Sequence, residues 1–385
     1  MTSKEITVKF SFRKLALPAS VLIIFLAVAG YFFFRRGPEI FEVKIGRTQQ
    51  ITHDPGLEID PAISPDGKMI AYAAGAPGKM ALFVRQVAGG RPIALTASMP
   101  GNCRWPRWSP DGAQIAYQSQ NSIYLVPALG GIPKKLVEAP ESQTVKGAAW
   151  SPDGRRIAYA FGSSICDCSA EGSEPRKIFE AFYPHSLSWS PDGSEIAYTS
   201  GNSNFLFGSL YLGNIAPSSI WGVSSKGGHP VRVTDEKSLN VGPVFMPDGR
   251  HLLYVSNEKG GRDVYLLTLD ASGEPLGGPT RLTTGLNAHT ISLSAAGDKL
   301  VYSEFTHTAN IWSIRIPKDG PISISEAQPV TTGNQTIEGI SVSRDGKWLA
   351  YDSNLNGNLD IYKMPVSGGE AEQLTNDPGD DCLPA

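Results

Sequence analysis

The chain has 385 residues, including 41 Gly and 29 Pro, and its 34 Lys and Arg against 37 Asp and Glu give a formal charge of −3. That near-neutral balance, with no basic patch interleaved with aromatics, argues against nucleic acid as a partner. The length admits one large domain, and the Gly and Pro content suits many short strands joined by tight turns.

Residues 1–14 read as a short cytoplasmic segment. From Leu15 to Phe34 the chain runs through 20 uncharged, mostly apolar residues, enough for a helix to cross roughly 30 Å of hydrocarbon. Lys4, Lys9, Arg13 and Lys14 precede the run and Arg35, Arg36, Lys44 and Arg47 follow it, so the charge bias on the two sides is nearly even. The expectation is a single inner-membrane span over 15–34 with the N-terminus inside and the following domain in the periplasm or outside the cell. Ala27-Val28-Ala29 offers an alternative as a signal-peptide cleavage site, against which the aromatic run from Tyr31 to Phe34 argues. Residues 35–56 then form a linker carrying one flanking strand, RTQQIT over 47–52.

From there the chain repeats itself. SPDG occurs at Ser64–Gly67, Ser109–Gly112, Ser151–Gly154 and Ser190–Gly193, and degenerate copies follow at Met246–Gly249, Ser294–Gly297 and Ser343–Gly346, spaced 45, 42, 39, 56, 48 and 49 residues apart. Pro presets φ at the second turn position and Gly accepts the left-handed conformation at the fourth, so each copy predicts a turn between antiparallel strands. An apolar-Ala-Tyr strand comes next, as in Ile70-Ala71-Tyr72 and Ile115-Ala116-Tyr117. A third strand carries pairs such as Val264-Tyr265 and Ile361-Tyr362, and a Gly-Gly turn then leads to Leu-Thr or Val-Thr at Thr96, Thr234, Thr283, Thr331 and Thr375. Each unit thus supplies four short strands, and units repeating at this interval predict one blade each. Directly before each turn stands a large apolar residue, Ile63, Trp108, Trp150, Trp189, Phe245, Leu293 or Val342, suited to the wedge between adjacent sheets.

These residues resemble the TolB-type, WD40-like propeller repeat, and the likeness covers 57–376. It implies an all-β, seven-bladed β-propeller, with six or eight blades as alternatives, preceded by the single transmembrane helix. Segments such as Gly213–Trp221 and Ala309–Ile314 are similar to those of the membrane-anchored propellers attached to bacterial receptor-like Ser/Thr kinases and winged-helix regulators. The fourteen residues ahead of the apolar run are too short to hold either output domain. Fold alone does not assign function, because propellers host binding, hydrolysis and lyase chemistry alike.

Five residues before the first position of each turn the seven units carry Ile59, Arg104, Lys146, His185, Val241, His289 and Glu338. Inner strands begin around one end of a propeller's channel, so Arg104, Lys146, His185, His289 and Glu338 are the candidate ligand-binding residues. Such a mainly cationic ring would hold a carboxylate, an anionic saccharide or a peptide terminus. The alternative is a polysaccharide lyase or hydrolase using His185 and His289 with a metal. No G-x-S-x-G elbow is present; Gly222–Lys226 fails at its last position. The Asp352–Asp360 stretch resembles a calcium loop only faintly and lacks the terminal Glu. Cys166 and Cys168 lie too far apart on one strand face for an unstrained disulfide; with Cys103 and Cys382 they read as free or incidentally paired. No cofactor is expected.

Two irregular regions complete the reading. Asn204–Ser219 is an insertion made apolar by Phe205, Leu206, Phe207, Leu210 and Tyr211, expected first to pack on its own blade, with covering the channel mouth or binding a partner as alternatives. Residues 377–385 read as a tail or the lead-in to a truncated further repeat. The sequence therefore leads to a membrane-anchored, non-catalytic sensor or scaffold that binds a protein partner or a small anionic ligand.

Overall fold

The repeated Ser and Asp shape the turns. In the computed structural model, which describes residues 46, 48–53, 56–140, 144–207, 215–304, 308–333, 335–356, 359–377 and 379–385, Ser64 Oγ donates to Asp66 Oδ1 at 2.6 Å and accepts from the Met69 N–H at 2.9 Å. The same Ser–Asp bond recurs at Ser109–Asp111, Ser151–Asp153, Ser190–Asp192 and Ser343–Asp345. Gly67 closes the turn at φ +68° with its N–H on the Ser64 carbonyl, a conformation that glycine adopts without a Cβ penalty. Farther along each unit, the hydroxyls of Thr96, Thr234, Thr283, Thr331 and Thr375 accept from third-strand N–H groups at 2.8–2.9 Å. That bond fastens the outermost strand, which in several units is only two residues long.

The chain is all-β and propeller-like. Units 1 to 5 and unit 7 are antiparallel four-stranded sheets whose strands follow in chain order. Their inner strands are Leu57–Ile63, Cys103–Trp108, Val145–Trp150, Pro184–Trp189, Asn240–Phe245 and Ile340–Val342. Unit 6 is divided: Ala288–Leu293 pairs with Leu300–Glu304, while Trp312–Ser313 pairs with Gln328–Pro329 in a separate sheet. The core lies between neighbouring sheets, where the second strands bury Ala71, Ile115, Ala116, Tyr117, Ile157 and Ile196 almost completely. Each pre-turn Trp is tied to the preceding unit: Trp108 Nε1 donates to the Ala62 carbonyl, Trp150 to Arg107 and Trp189 to Ala149, at 2.8, 3.1 and 3.1 Å.

Seven repeats lead one to expect seven inner strands around one axis, but the neighbours found are different. Inner strands 1 to 6 pack in sequence, and that of unit 6 lies against that of unit 1. Ser292 Oγ accepts from the Ile63 N–H at 3.2 Å, the Ala295 N–H donates to the Pro65 carbonyl at 3.1 Å, and Lys299 Nζ donates to the Gly67 carbonyl at 3.0 Å. The turns also stack: a Cβ placed on Gly112, Gly154, Gly193, Gly249 or Gly297 would meet the proline ring of the preceding turn, whereas one on Gly346 of unit 7 would meet nothing within 4 Å. Unit 7 packs instead on the detached outer hairpin of unit 6, through Ile311 and Val330 against Leu349, Tyr351 and Tyr362. Its inner strand leaves Ile340 and Val342 each 56% exposed.

The flanks settle on these units. Ile51, from the expected flanking strand, packs against Ile63, Ile70, Tyr72 and Val301 where units 1 and 6 meet. The C-terminal tail lies along unit 7, with Asp381 N–H on the Leu359 carbonyl and Leu383 N–H on Asp352, and it forms no strand of its own. Residues 1–45, with the expected anchor at 15–34, lie outside the described residues. No helix among the described residues is long and apolar enough to cross a membrane.

Candidate functional site

The six neighbouring inner strands share an irregularity at the level of the candidate residues. Each pairing with its second strand skips register near its start, between Ile59 and Ala62, Arg104 and Arg107, Lys146 and Ala148, His185 and Ser188, Val241 and Val244, and Ala288 and Thr290. A β-bulge re-aims the side chains around it. Asp60, Trp105 and Ser186 sit in these bulges at φ 56°, 51° and 53°, and Gly147 and Gly242 occupy the matching positions at φ 79° and 64°. A non-glycine residue held left-handed is strained by about 1–3 kcal/mol and persists only where its surroundings impose it.

The surroundings are visible for each candidate. Arg104 is 3% exposed and donates to Asp60 through Nε at 2.8 Å and Nη2 at 3.1 Å, with its guanidinium 4.1 Å above the Trp105 ring. Lys146 donates to Ser203 Oγ at 2.8 Å, and burial pulls its ammonium below the ordinary lysine range. His185 is fully buried with Nδ1 2.8 Å from Ser186 Oγ; burial, reinforced by the Lys146 charge and opposed by a bond to the Asn202 backbone, lowers it to about 3. His289 is also pushed down to about 3, by burial first, with Asp60 opposing and Arg104 and Arg262 adding to the shift. Both imidazoles are therefore neutral at physiological pH. Glu338 stands apart on unit 7, exposed, with its backbone N–H on Asp352.

What lies over these residues is the insertion of unit 4. Residues 204–207 form one helical turn. Phe205 is fully buried, its ring 4.8 Å from His289 and beneath the Arg262 guanidinium at 5.4 Å. Together with the Lys146–Ser203 bond, these contacts lay residues 203–206 across the strand starts of units 3, 4 and 6. Residues 203–206 thus lie over this end of the channel, whereas the leading expectation is packing of the insertion onto its own blade; residues 208–214 lie outside the described ones. Lys146, His185 and His289 are gathered beneath that cover, Arg104 lies close enough for its charge to act on His289, and Glu338 stands apart.

Below the cover runs a central cavity of about 510 Å³ lined by all six inner strands and by Leu206. Pro65, Pro110, Pro152, Pro191 and Pro247 of the turns ring its other end, and all but the half-buried Pro65 are exposed. Among the described residues, the only charged side chain on its wall is Arg107. Spacing from the turn placed the candidates one residue before the bulge, and so passed over Asp60 and Trp105 at the next position and Arg107 three residues on. Three residues on, Arg107 stands out among Ala62, Ala149, Ser188, Val244 and Ser292 when the units are aligned, whereas Asp60 and Trp105 carry no such signal. Among the described residues no three His, Cys, Asp or Glu side chains gather as a metal site requires. Cys103, Cys166, Cys168 and Cys382 are all free thiols.

Residues 40–212 match the family model described as the TolB beta propeller domain. A TolB homologue of Chlorobaculum tepidum is 28% identical over 93 residues, 23% of this chain and 21% of that protein. The uncharacterized peptidase YuxL of Bacillus subtilis is 36% identical over 77 residues, 20% of this chain and 12% of that one. The chain therefore spans only about a fifth and an eighth of the lengths of these two relatives. A solved structure assigned as TolB from Agrobacterium tumefaciens superposes with a TM-score of 0.50 at 23% identity, covering 66% of this chain and 92% of that one. With the repeated turns, four-stranded sheets and neighbouring inner strands, these matches identify a TolB-type β-propeller domain over residues 40–212 and a propeller-like fold for the described repeats.

Proposed function

We propose that this chain is a non-catalytic binding module, a six-bladed propeller with its seventh repeat outside the ring, which takes a protein partner or a small anionic ligand at the proline-ringed end of its channel. The observation that carries this reading is the asymmetry of the channel. One end lies under the buried Phe205 and Leu206, and the other is bordered by exposed turns. The histidines that metal-dependent lyase or hydrolase chemistry would need are enclosed at the covered end, neutral and away from entering substrate. The apolar run at 15–34 supports an inner-membrane anchor that holds the propeller in the periplasm or outside the cell.

A photo-crosslinking residue placed at Pro110 or Pro152 in the full chain, with one at exposed Ile132 as comparison, tests the reading in cells. Crosslinks from the proline ring are expected to vanish when Ala149→Trp fills the channel, while any from Ile132 persist. Crosslinks indifferent to that filling would overturn it.

A further inference from the structure

The layer two residues before each turn sets the chemistry of the channel. There the six inner strands carry Ala62, Arg107, Ala149, Ser188, Val244 and Ser292, all on the cavity wall. Five are small and neutral, leaving space into which one long cation projects. Among the described residues Arg107 makes a single hydrogen bond, Nη1 to the neighbouring Pro106 carbonyl at 2.9 Å, and no carboxylate forms an ion pair with it. The nearby acid, Asp60, is already held by Nε and Nη2 of Arg104.

The rest of the layer presents donors and apolar surface. Ser188 Oγ and Ser292 Oγ each accept a backbone N–H, from Phe245 at 3.3 Å and Ile63 at 3.2 Å, so their hydroxyl protons are directed elsewhere. Trp108, Trp150 and Trp189 line the same cavity with their indole N–H groups already given to backbone carbonyls. They therefore meet a ligand with ring carbon alone. A guanidinium with unused donors and two hydroxyls want an acceptor-only group, and the planar fork matches a carboxylate. One guanidinium balances one negative charge, whereas a phosphate dianion would be left with a second charge among aromatic walls.

We infer that the channel binds a monocarboxylate carried on a flat apolar body, with Arg107 holding the carboxylate and the three tryptophans packing the body. This rests on the channel being the binding site, as proposed above. Such a group is either a free aromatic acid or the C-terminal residue of a peptide. The cavity lies within the size range of small-ligand pockets, about 300–1,000 Å³.

Titration calorimetry on the full chain tests it with two matched pairs. One pair is 3-phenylpropanoate and its neutral amide; the other is N-acetyl-alanyl-phenylalanine as free acid and as C-terminal amide. At least one acid is expected to bind roughly tenfold or more tightly than its amide, with Arg107→Met removing that preference. The pair that binds identifies the source as small molecule or chain terminus. Arg107→Lys, which keeps the charge without the fork, is expected to fall between. If Arg107→Met lowers the unfolding midpoint, Arg107→Gln takes its place. Equal binding of acid and amide, or acid binding indifferent to Arg107, would overturn the assignment while leaving the channel a binding site. Failure of both acids to bind at millimolar concentration would overturn it too, and the proline-ring crosslinks then decide the broader reading on their own.

Discussion

Arg104 grips Asp60 across the boundary between the first two units with two hydrogen bonds, and side-chain exposure is 3% for the arginine and zero for the aspartate. A buried pair of this kind owes much of its value to what happens when one partner leaves, because the other charge remains stranded without solvent. Asp60→Asn keeps a residue that tolerates the left-handed bulge conformation but removes the charge. It is expected to lower unfolding stability by about 3–5 kcal/mol, measured by chemical denaturation. Replacing both partners, with Asp60→Asn and Arg104→Met, removes the stranded cation and is expected to recover a substantial part of that loss. A double variant as unstable as the single one would show that the bulge, and not the charge, depends on Asp60.

The two enclosed histidines make a second prediction, about pH. His185 and His289 are lowered from 6.5 to about 3, in both cases chiefly by burial. Between those values the unfolded chain takes up protons that the folded chain refuses. Their contribution is therefore complete above an unfolded pKa of about 6.5 and is lost progressively as the pH falls toward 3. Each can contribute a slope of at most about 1.4 kcal/mol per pH unit in that window. The turn carboxylates Asp66, Asp111, Asp153 and Asp192, held low mainly by their Ser hydroxyls, begin to matter only below their ordinary value of 3.8. His289→Gln is expected to flatten the decline from about pH 6.5 down toward 3, leaving in place the further loss that the turn carboxylates cause below their ordinary value. Denaturation midpoints across that range provide the check, and an unchanged slope would mean that His289 can be protonated within the fold.

Local features of this architecture were legible because each is written within a few residues. Ser64, Pro65, Asp66 and Gly67 contain the whole hydrogen-bonded turn, and Leu95-Thr96 contains the hydroxyl that fastens the outer strand. The bulges were not legible, because Asp60 and Trp105 are ordinary strand residues until a neighbouring unit imposes their φ. Arg107 was passed over for a related reason: its isolation comes from the smallness of Ala62, Ala149 and Ser188 on other strands. Ring closure depends on which unit lies beside the first, and the number of turns does not contain that information. One clue was present and unread. Ser294-Ala295-Ala296-Gly297 looked like a decayed copy of the turn, yet it stands where unit 6 meets unit 1.

Pre-turn residues give a third prediction, because equivalent positions in the repeat are not equivalent in space. Trp189 lines the channel and donates its indole N–H to the Ala149 carbonyl at 3.1 Å. Val342, its counterpart in unit 7, is 56% exposed. Trp189→Ala is expected to destabilise the chain by about 3 kcal/mol, at the lower end for large aromatic truncations because one side of the ring already faces the cavity. Val342→Ala is expected to stay within about 0.5 kcal/mol of the parent. Thermal and chemical unfolding of the two variants compares them directly, and a loss at Val342 to rival that at Trp189 would place unit 7 inside the ring.

The decayed turn itself supplies the sharpest test of closure. Consensus with the other copies suggests Ala295→Pro, and where the backbone permits, such a change stabilises by about 0.4–1 kcal/mol by restricting the unfolded chain. Here the Ala295 N–H donates to the Pro65 carbonyl at 3.1 Å, and proline has no N–H to give. The bond joins unit 6 to unit 1, two units that no direct chain connection holds together. Ala295→Pro is therefore expected to destabilise by about 1–2 kcal/mol, against the direction consensus implies. Ala296→Asp, the other consensus change, is expected to be nearly neutral, because Asp298 already accepts the Ser294 hydroxyl at 2.7 Å. Stabilisation by Ala295→Pro would mean that units 6 and 1 are not joined through this bond. Destabilisation confined to that one variant would mean that the missing proline is what allows the ring to close.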